Sequence, residues 1–293
     1  MLYRIFTLHP NILSSFLSES LVARALAKEI IKVELVNWRE GFGIGNYKQV
    51  DDRPFGGGSG MVLKPEPIFK ALKSFEAQQN IYPKKVSNNT YSRVIPNNSR
   101  FYELQQKLNL KKATIMLTPR GFSLDQKIVS WLSGFEELNI LCGRYEGFDA
   151  RVSDSVDLEI SIGSFVLNGG EVPAMSLIES ISRLLPDFVT KETSVSHDSF
   201  SKNLNIYSEN ASFLRAKNTL KSISDIDNLE SKTRVLENIN LFNDQKWMKE
   251  ILPYIEHPQF TRPEVWNDLS VPKVLLSGDH KKIQNWQKNW YKE

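Results

Sequence analysis

"SIGSFVLNGGE", Ser161 to Glu171, lies between two apolar segments of different character. "VDLEISIG" runs into it and reads as a strand. Glu171 to Leu185 follows with helical spacing of its apolar residues and ends at Pro186. Gly163, Asn168, Gly169 and Gly170 fall at the junction. Glycine weakens strands and helices, so its repetition here suggests a backbone that bends sharply or is closely approached by a ligand. A tight loop between two core elements is the plainer reading of a single glycine pair.

Outward from this loop, the same alternation recurs. Tyr3 to Leu8 reads as a short buried strand, Asn11 to Lys28 as a helix and "IKVELVNW" as a second strand. "ATIMLTP" reads as a strand, Leu124 to Leu132 as a helix and "LNILCG" as a strand. Strand, helix, strand favours a parallel sheet, so residues 1–189 are expected to form one α/β domain. Gln78 to Arg100, rich in Asn, Ser and Pro, reads as a surface excursion, and residues 190–203 as a linker. From 204 to 293 apolar residues recur at helical spacing, which predicts a smaller, mostly helical domain. At its end Ile283, Trp286 and Trp290 share one face, with lysines around it.

The composition narrows the class. With 293 residues, 41% of them hydrophobic and 24% charged, the chain can bury a sizeable core and reads as soluble and globular. A net charge of +3 permits an anionic partner without demanding one. One cysteine, Cys142, excludes an intrachain disulfide framework, and its apolar setting suggests a small buried hydrophobe. His9, Pro10 and Asn11 interrupt the apolar stretch that a signal peptide would need, and no run of about 18 apolar residues offers a membrane span. A cytoplasmic protein is expected.

Three glycine-bearing loops stand out: "VDDRPFGGGSGM" (Val50 to Met61), "CGRYEGFD" (Cys142 to Asp149) and the Ser161 to Glu171 loop. The last two follow strands, as does the "TPRG" turn at Thr118 to Gly121. Ligands of α/β folds bind outside the carboxyl ends of strands, so these loops are candidates for one pocket. Dinucleotide and Walker phosphate fingerprints are absent, as is a hydrolase elbow. His9, His197, His257 and His280 lack metal-ligand spacing, so no metal site is expected. The pocket suits a neutral or zwitterionic ligand held by backbone groups.

"VDDRPFGGGSGM", "LTPRG", "LCGRYEGFDARV", "SIGSFVLNGGEVPAMSLIESISRLLP", "HDSF", "FTRPEVW" and "VPKVLLSGDHKKIQNW" occur in this order. Together they closely resemble the bacterial tRNA (guanine-N1-)-methyltransferases of the trefoil-knot (SPOUT) superfamily. These methylate the guanosine immediately 3′ of the anticodon. The resemblance implies a trefoil-knotted parallel-sheet domain that binds S-adenosylmethionine, tRNA as substrate, and a homodimer with the site at the subunit interface. It places Leu117, Thr118, Pro119, Gly143, Glu146, Ile162, Gly163, Ser164, Phe165, Val166, Leu167, Gly169 and Gly170 at the cofactor. Core packing is the plain alternative for Ile162, Phe165, Val166 and Leu167, and an ion pair is the alternative for Arg144 and Glu146. The family usually passes quickly from "DSF" to "TRP", whereas a long segment here separates Phe200 from Thr261. A second excess lies between Ser74 and Lys112.

Guanine N1 carries a proton and becomes nucleophilic only as that proton leaves and charge spreads to O6. Such a site needs a base at N1 and a donor at O6. The resemblance assigns these roles to Asp198 in the linker and Arg183. The bland readings are a helix N-cap for Asp198 and a helix C-terminal cation for Arg183, and the neighbouring His197 has the more suitable pKa for a base. Asp51, Asp52, Arg53 and Gly58 are the candidates for contact with tRNA, against a structured turn with an Asp–Arg pair. Lys281, Lys282 and Lys288 offer phosphate contacts or merely a solvated helix face.

Overall fold

A computed structural model of the chain describes residues 1–75, 111–189, 199 and 256–290. Its strands are β1 (Leu2–Thr7), β2 (Lys32–Asn37), β3 (Asp51–Asp52), β4 (Val62–Leu63), β5 (Lys112–Ser123), β6 (Glu137–Cys142), β7 (Leu158–Ser161), β8 (Val265–Trp266) and β9 (Leu269–Ser270). The helices are α1 (Ser14–Ser18), α2 (Ser20–Ala27), α3 (Trp38–Phe42), α4 (Pro65–Ser74), α5 (Gln126–Leu132), α6 (Glu171–Ser182), α7 (Lys273–Leu276) and α8 (His280–Asn289). Five strands form one sheet in the order β2-β1-β6-β5-β7, with every neighbouring pair parallel. This is the α/β sheet that the alternating sequence predicts.

A parallel sheet needs cover on both faces. Side chains alternate along each strand, so one strand feeds two cores. Tyr3, Ile5, Ile115, Leu138 and Ile140 face α2, α5 and α6. Phe6, Met116 and Leu141 face the opposite way, with Trp38, Ile68 and Leu72. Each such buried aliphatic or aromatic side chain contributes about 1.5–3 kcal/mol through burial. Burial also pushes the Cys142 thiol well above its ordinary pKa, which keeps it protonated and unreactive.

Two local readings change. The single helix expected over 11–28 is a 3₁₀ turn (Pro10–Leu13) followed by α1 and α2. Glu19 is extended and Ser20 has φ 56°, which interrupts the helical hydrogen-bond ladder. Leu13 before the break and Val22 and Ala25 after it all reach one core, so the break redirects the chain without exposing either apolar face. The strand "ATIMLTP" also extends further than expected. Leu117 and Phe122 both pair with Ile160, and Thr118 to Gly121 bulge out between them.

Residues 256–290 hold the β8–β9 hairpin and helices α7 and α8. Asp279 caps α8 by accepting from the backbone amides of Lys281 and Lys282, both at 3.1 Å. Ile283, Trp286 and Trp290 are buried on one face, while Lys281, Lys282 and Lys288 are exposed. Their core also contains Phe260, Val271, Leu275, Phe55 and Ala150, so this segment packs on the loops of the first 189 residues. The excursion at 78–100 and the expected helical domain from 204 to 255 lie outside the described residues, as does the 190–203 linker except Ser199.

Candidate active site

β6, β5 and β7 are adjacent and parallel, so the loops near their carboxyl ends emerge side by side. Leu117 is buried and paired just before the bulge in β5, on which Thr118 is half-buried and Pro119 exposed. Gly143 is half-buried and Glu146 exposed beyond β6. After β7, Ile162, Gly163 and Gly169 are half-buried, Ser164 is exposed and Gly170 is buried. Phe165, Val166 and Leu167 are 53%, 83% and 40% exposed, which overturns core packing for these three. Their apolar side chains are free to cover something outside this fold.

The second and third loops are joined. Arg144 and Gly169 form an antiparallel bridge, and the Gly170 amide donates to the Gly143 carbonyl at 2.9 Å. Arg144 Nη1 donates to the Asn168 carbonyl at 3.3 Å, and Nη2 lies 2.7 Å from Glu171 Oε2. Glu171 is only 1% exposed, and its other oxygen accepts from Thr7 Oγ1 at 2.6 Å. The partner of Arg144 is therefore Glu171, 27 residues away, rather than the nearby Glu146. A buried carboxylate needs this degree of pairing, and here the pair locks two loops to the end of β1.

The glycines of "NGGE" follow from that closeness. A Cβ on Gly170 would come within 2.6 Å of Cys142 Cα, and one on Gly169 would overlap the Arg144 guanidinium. Gly169→Val is accordingly expected to displace Arg144 and open the joined loops. Affinity for S-adenosylmethionine, measured by calorimetry, should fall at least tenfold while tRNA affinity changes less. An unchanged cofactor affinity would remove this loop from the site.

The first glycine loop packs beside the second. The Glu146 amide donates to the Met61 carbonyl at 3.0 Å, and the Leu63 amide to the Gly147 carbonyl at 2.9 Å. Asp51 and Asp52 form β3, which pairs with β4 and holds the Arg53-to-Gly60 turn between them. The alternative reading, an Asp–Arg pair within that turn, gives way to longer-range partners. Asp51 lies 3.7 Å from Arg39, and Asp52 lies 3.3 Å from Lys64 and 3.5 Å from Arg262. Burial raises the pKa of Asp51, and Arg39 partly opposes this. Gly58 lies at the exposed part of the turn.

Asp149 and Arg151, in "CGRYEGFDARV", hold the "FTRP" motif against this turn. Their side chains form a two-pronged ion pair, with both contacts at 2.8 Å. Asp149 Oδ2 accepts from the Thr261 amide at 2.7 Å, while Arg151 donates to the carbonyls of Thr261 at 2.7 Å and Pro263 at 2.8 Å. Thr261 Oγ1 then donates to the Arg53 carbonyl at 2.7 Å, and Phe55 N donates to the Phe260 carbonyl at 2.7 Å. Spacing alone could not reveal Asp149, Arg151 or Glu171 as supports, because each acts on a segment distant in sequence.

Arg183 is the half-buried C-cap residue of α6, and its amide donates to Glu179 O at 3.1 Å. The preceding Ser182 is fixed by a 2.9 Å hydrogen bond with Tyr3 OH in the core. Asp198 and His197 lie outside the described residues.

The lining fits S-adenosylmethionine, the cofactor implied by the resemblance. Exposed Phe165 and Leu167 offer apolar cover for a purine, and exposed Glu146 offers a carboxylate for an ammonium group. Arg144, which would otherwise suit a phosphate, is committed to Glu171. The remaining polar contacts would fall to backbone groups of the closely packed loops.

The chain has many relatives of one family. The sequence model described as "tRNA (Guanine-1)-methyltransferase TrmD" matches residues 1–90, 92–224 and 229–293. The tRNA (guanine-N(1)-)-methyltransferase of Prochlorococcus marinus (strain MIT 9312) is 36% identical over 97% of this chain and 82% of its own length. That of Endomicrobium trichonymphae is 34% identical over 97% of this chain and 91% of its own. A solved structure, the tRNA (m1G37) methyltransferase from Aquifex aeolicus, is 28% identical with a TM-score of 0.49, covering 100% of this chain and 89% of that one. The family match spans nearly all of the sequence, and the chain belongs to the tRNA (guanine-1)-methyltransferase family.

Proposed function

We propose that this enzyme transfers a methyl group from S-adenosylmethionine to N1 of the guanosine immediately 3′ of the anticodon, position 37, in tRNA. The observation that carries the reading is the set of adjoining loops at the carboxyl edge of β6, β5 and β7, in a chain of this family. The cofactor, when bound, supplies a methyl group activated by a sulfonium. Leu117 to Pro119, Gly143, Glu146, residues 162–167, Gly169 and Gly170 would hold it, within a trefoil knot. Asp198 takes the N1 proton of guanine, and Arg183 supports the charge that develops on O6. An ordinary carboxylate titrates near pH ~4, far below the guanine imide, so Asp198 depends on Arg183 to make proton removal feasible.

The active form is a homodimer in the cytoplasm. The exposed apolar side chains of Val166 and Val172, beyond those offered to the cofactor, support the dimer, since a second subunit would cover them. One subunit holds the cofactor and the other brings Asp198. Asp51, Asp52, Arg53 and Gly58 meet the tRNA near its target base, and residues 204–293, joined to the sheet domain (1–189) by the 190–203 linker, form its helical tRNA-binding domain. Among the described residues, no helix is long and apolar enough to cross a membrane.

Purified protein, radiolabelled S-adenosylmethionine and total tRNA test this reading directly. The expected product carries its label on guanine N1 at position 37. Label on ribose 2′-oxygen would replace the reading with a different methyl transfer, and tRNA binding without any label would replace it with a non-catalytic role.

A further inference from the structure

We infer that the depression between α3 and the turn at 44–49 is a second RNA subsite, in which Tyr47 stacks on an unpaired base beside the target guanosine. The inference rests on the tRNA reading above and extends it to a specific surface. Ile44 and Gln49 exchange two backbone hydrogen bonds of 2.9 Å, and the Lys48 amide donates to the Gly45 carbonyl at 3.1 Å. These bonds close a tight turn with Asn46 and Tyr47 at its tip. Tyr47 is 95% exposed, the most exposed large apolar side chain among the described residues.

An isolated exposed tyrosine would need no explanation. Tyr47, however, borders an open depression on the surface together with Arg39, Asn46, Gln49 and Asp51. An open depression beside an exposed aromatic ring admits the flat face of an unstacked base. Arg39 spans its inner side, 3.7 Å from Asp51 and donating at 3.1 Å to Tyr145 OH. Tyr145 belongs to the "CGRYEG" loop, so the depression adjoins the proposed cofactor site. An aromatic face, two side-chain amides, a carboxylate and a guanidinium are the groups that hold an unstacked RNA base by its face and edges. Exposed Lys48, next to Tyr47, is placed for the accompanying phosphate.

Tyr47→Ala and Tyr47→Phe test the subsite in the full-length protein, with tRNA affinity measured by fluorescence and cofactor affinity by calorimetry. Removal of the ring should weaken tRNA binding by about 5- to 100-fold, the range for loss of one base–aromatic stack. Tyr47→Phe should stay within about twofold of wild type, and cofactor affinity should be unchanged in both. Anticodon-loop RNAs with single abasic positions beside the target then locate the contact. At one of them, Tyr47→Ala should cause no additional loss. Wild-type tRNA affinity in Tyr47→Ala, an equal loss in Tyr47→Phe, or an undiminished penalty on every abasic RNA would overturn the inference. These binding results are separate from the methyl-mapping assay, so wild-type methylation of guanine N1 with an unaltered Tyr47→Ala variant would reject the subsite alone.

Discussion

Asp149→Ala should lower folding stability by about 3–5 kcal/mol, the loss expected when one partner of a buried ion pair is removed. Asp149 is 0% and Arg151 3% exposed, so the stranded guanidinium would have little access to water. The carboxylate also accepts from the Thr261 amide, and that hydrogen bond disappears with it. Chemical denaturation should show a lower midpoint, with melting on the order of 10 °C lower. The consequence should extend to RNA. Thr261 holds the Arg53 carbonyl, and Phe260 holds the Phe55 amide, so release of residues 260–261 frees the turn after Asp52. The tRNA affinity of the folded fraction should therefore fall more than its cofactor affinity. A stability loss below about 1 kcal/mol would show that this ion pair does not hold the two segments together.

The same pair shows which features of the molecule are visible in its sequence. Strands such as Leu2–Thr7 and Glu137–Cys142 are legible because a parallel strand buried on both faces is a short continuous apolar run. Glu171–Ser182 is legible because Ala174, Leu177, Ile178 and Ile181 repeat at helical spacing. The break at Ser20 is not, because both sides of it keep an apolar face toward one core. Nor is the re-entry of β5 at Phe122, since pairing with Ile160 is a tertiary choice that the "TPRG" residues do not encode locally.

At the site, spacing and composition identify the glycine loops but not their partners. Arg144 has an acidic neighbour two residues away in Glu146, yet pairs with Glu171 because the Gly143–Gly170 contact brings α6 against that loop. Phe165, Val166 and Leu167 look like core because hydrophobicity alone does not distinguish a core from a surface that another molecule covers. The motif order supplied the family. Physical chemistry supplied only the close backbone approach, which the positions of Gly169 and Gly170 explain.

Asp198→Asn should leave cofactor binding intact and reduce methylation by roughly 10²-fold or more, because the amide keeps the size of the carboxylate but cannot accept the N1 proton. Arg183→Ala should cause a comparable loss, because negative charge on O6 then develops without its donor. In the proposed mechanism the two groups serve one proton removal. Their double variant should therefore be far less impaired than the product of the single losses implies. Subunit exchange makes the test sharper. If Asp198 of one subunit meets Arg183 of the other, a heterodimer of the two single variants contains one intact site and one site lacking both groups. Mixing two nearly inactive proteins should then restore activity, up to about half the wild-type value per heterodimer if the sites are independent. If both groups instead came from the same subunit, each site of the heterodimer would lack one of them and activity would stay low. Confirmed heterodimers without recovery would reject the shared site, and full activity of Asp198→Asn alone would reject Asp198 as the base.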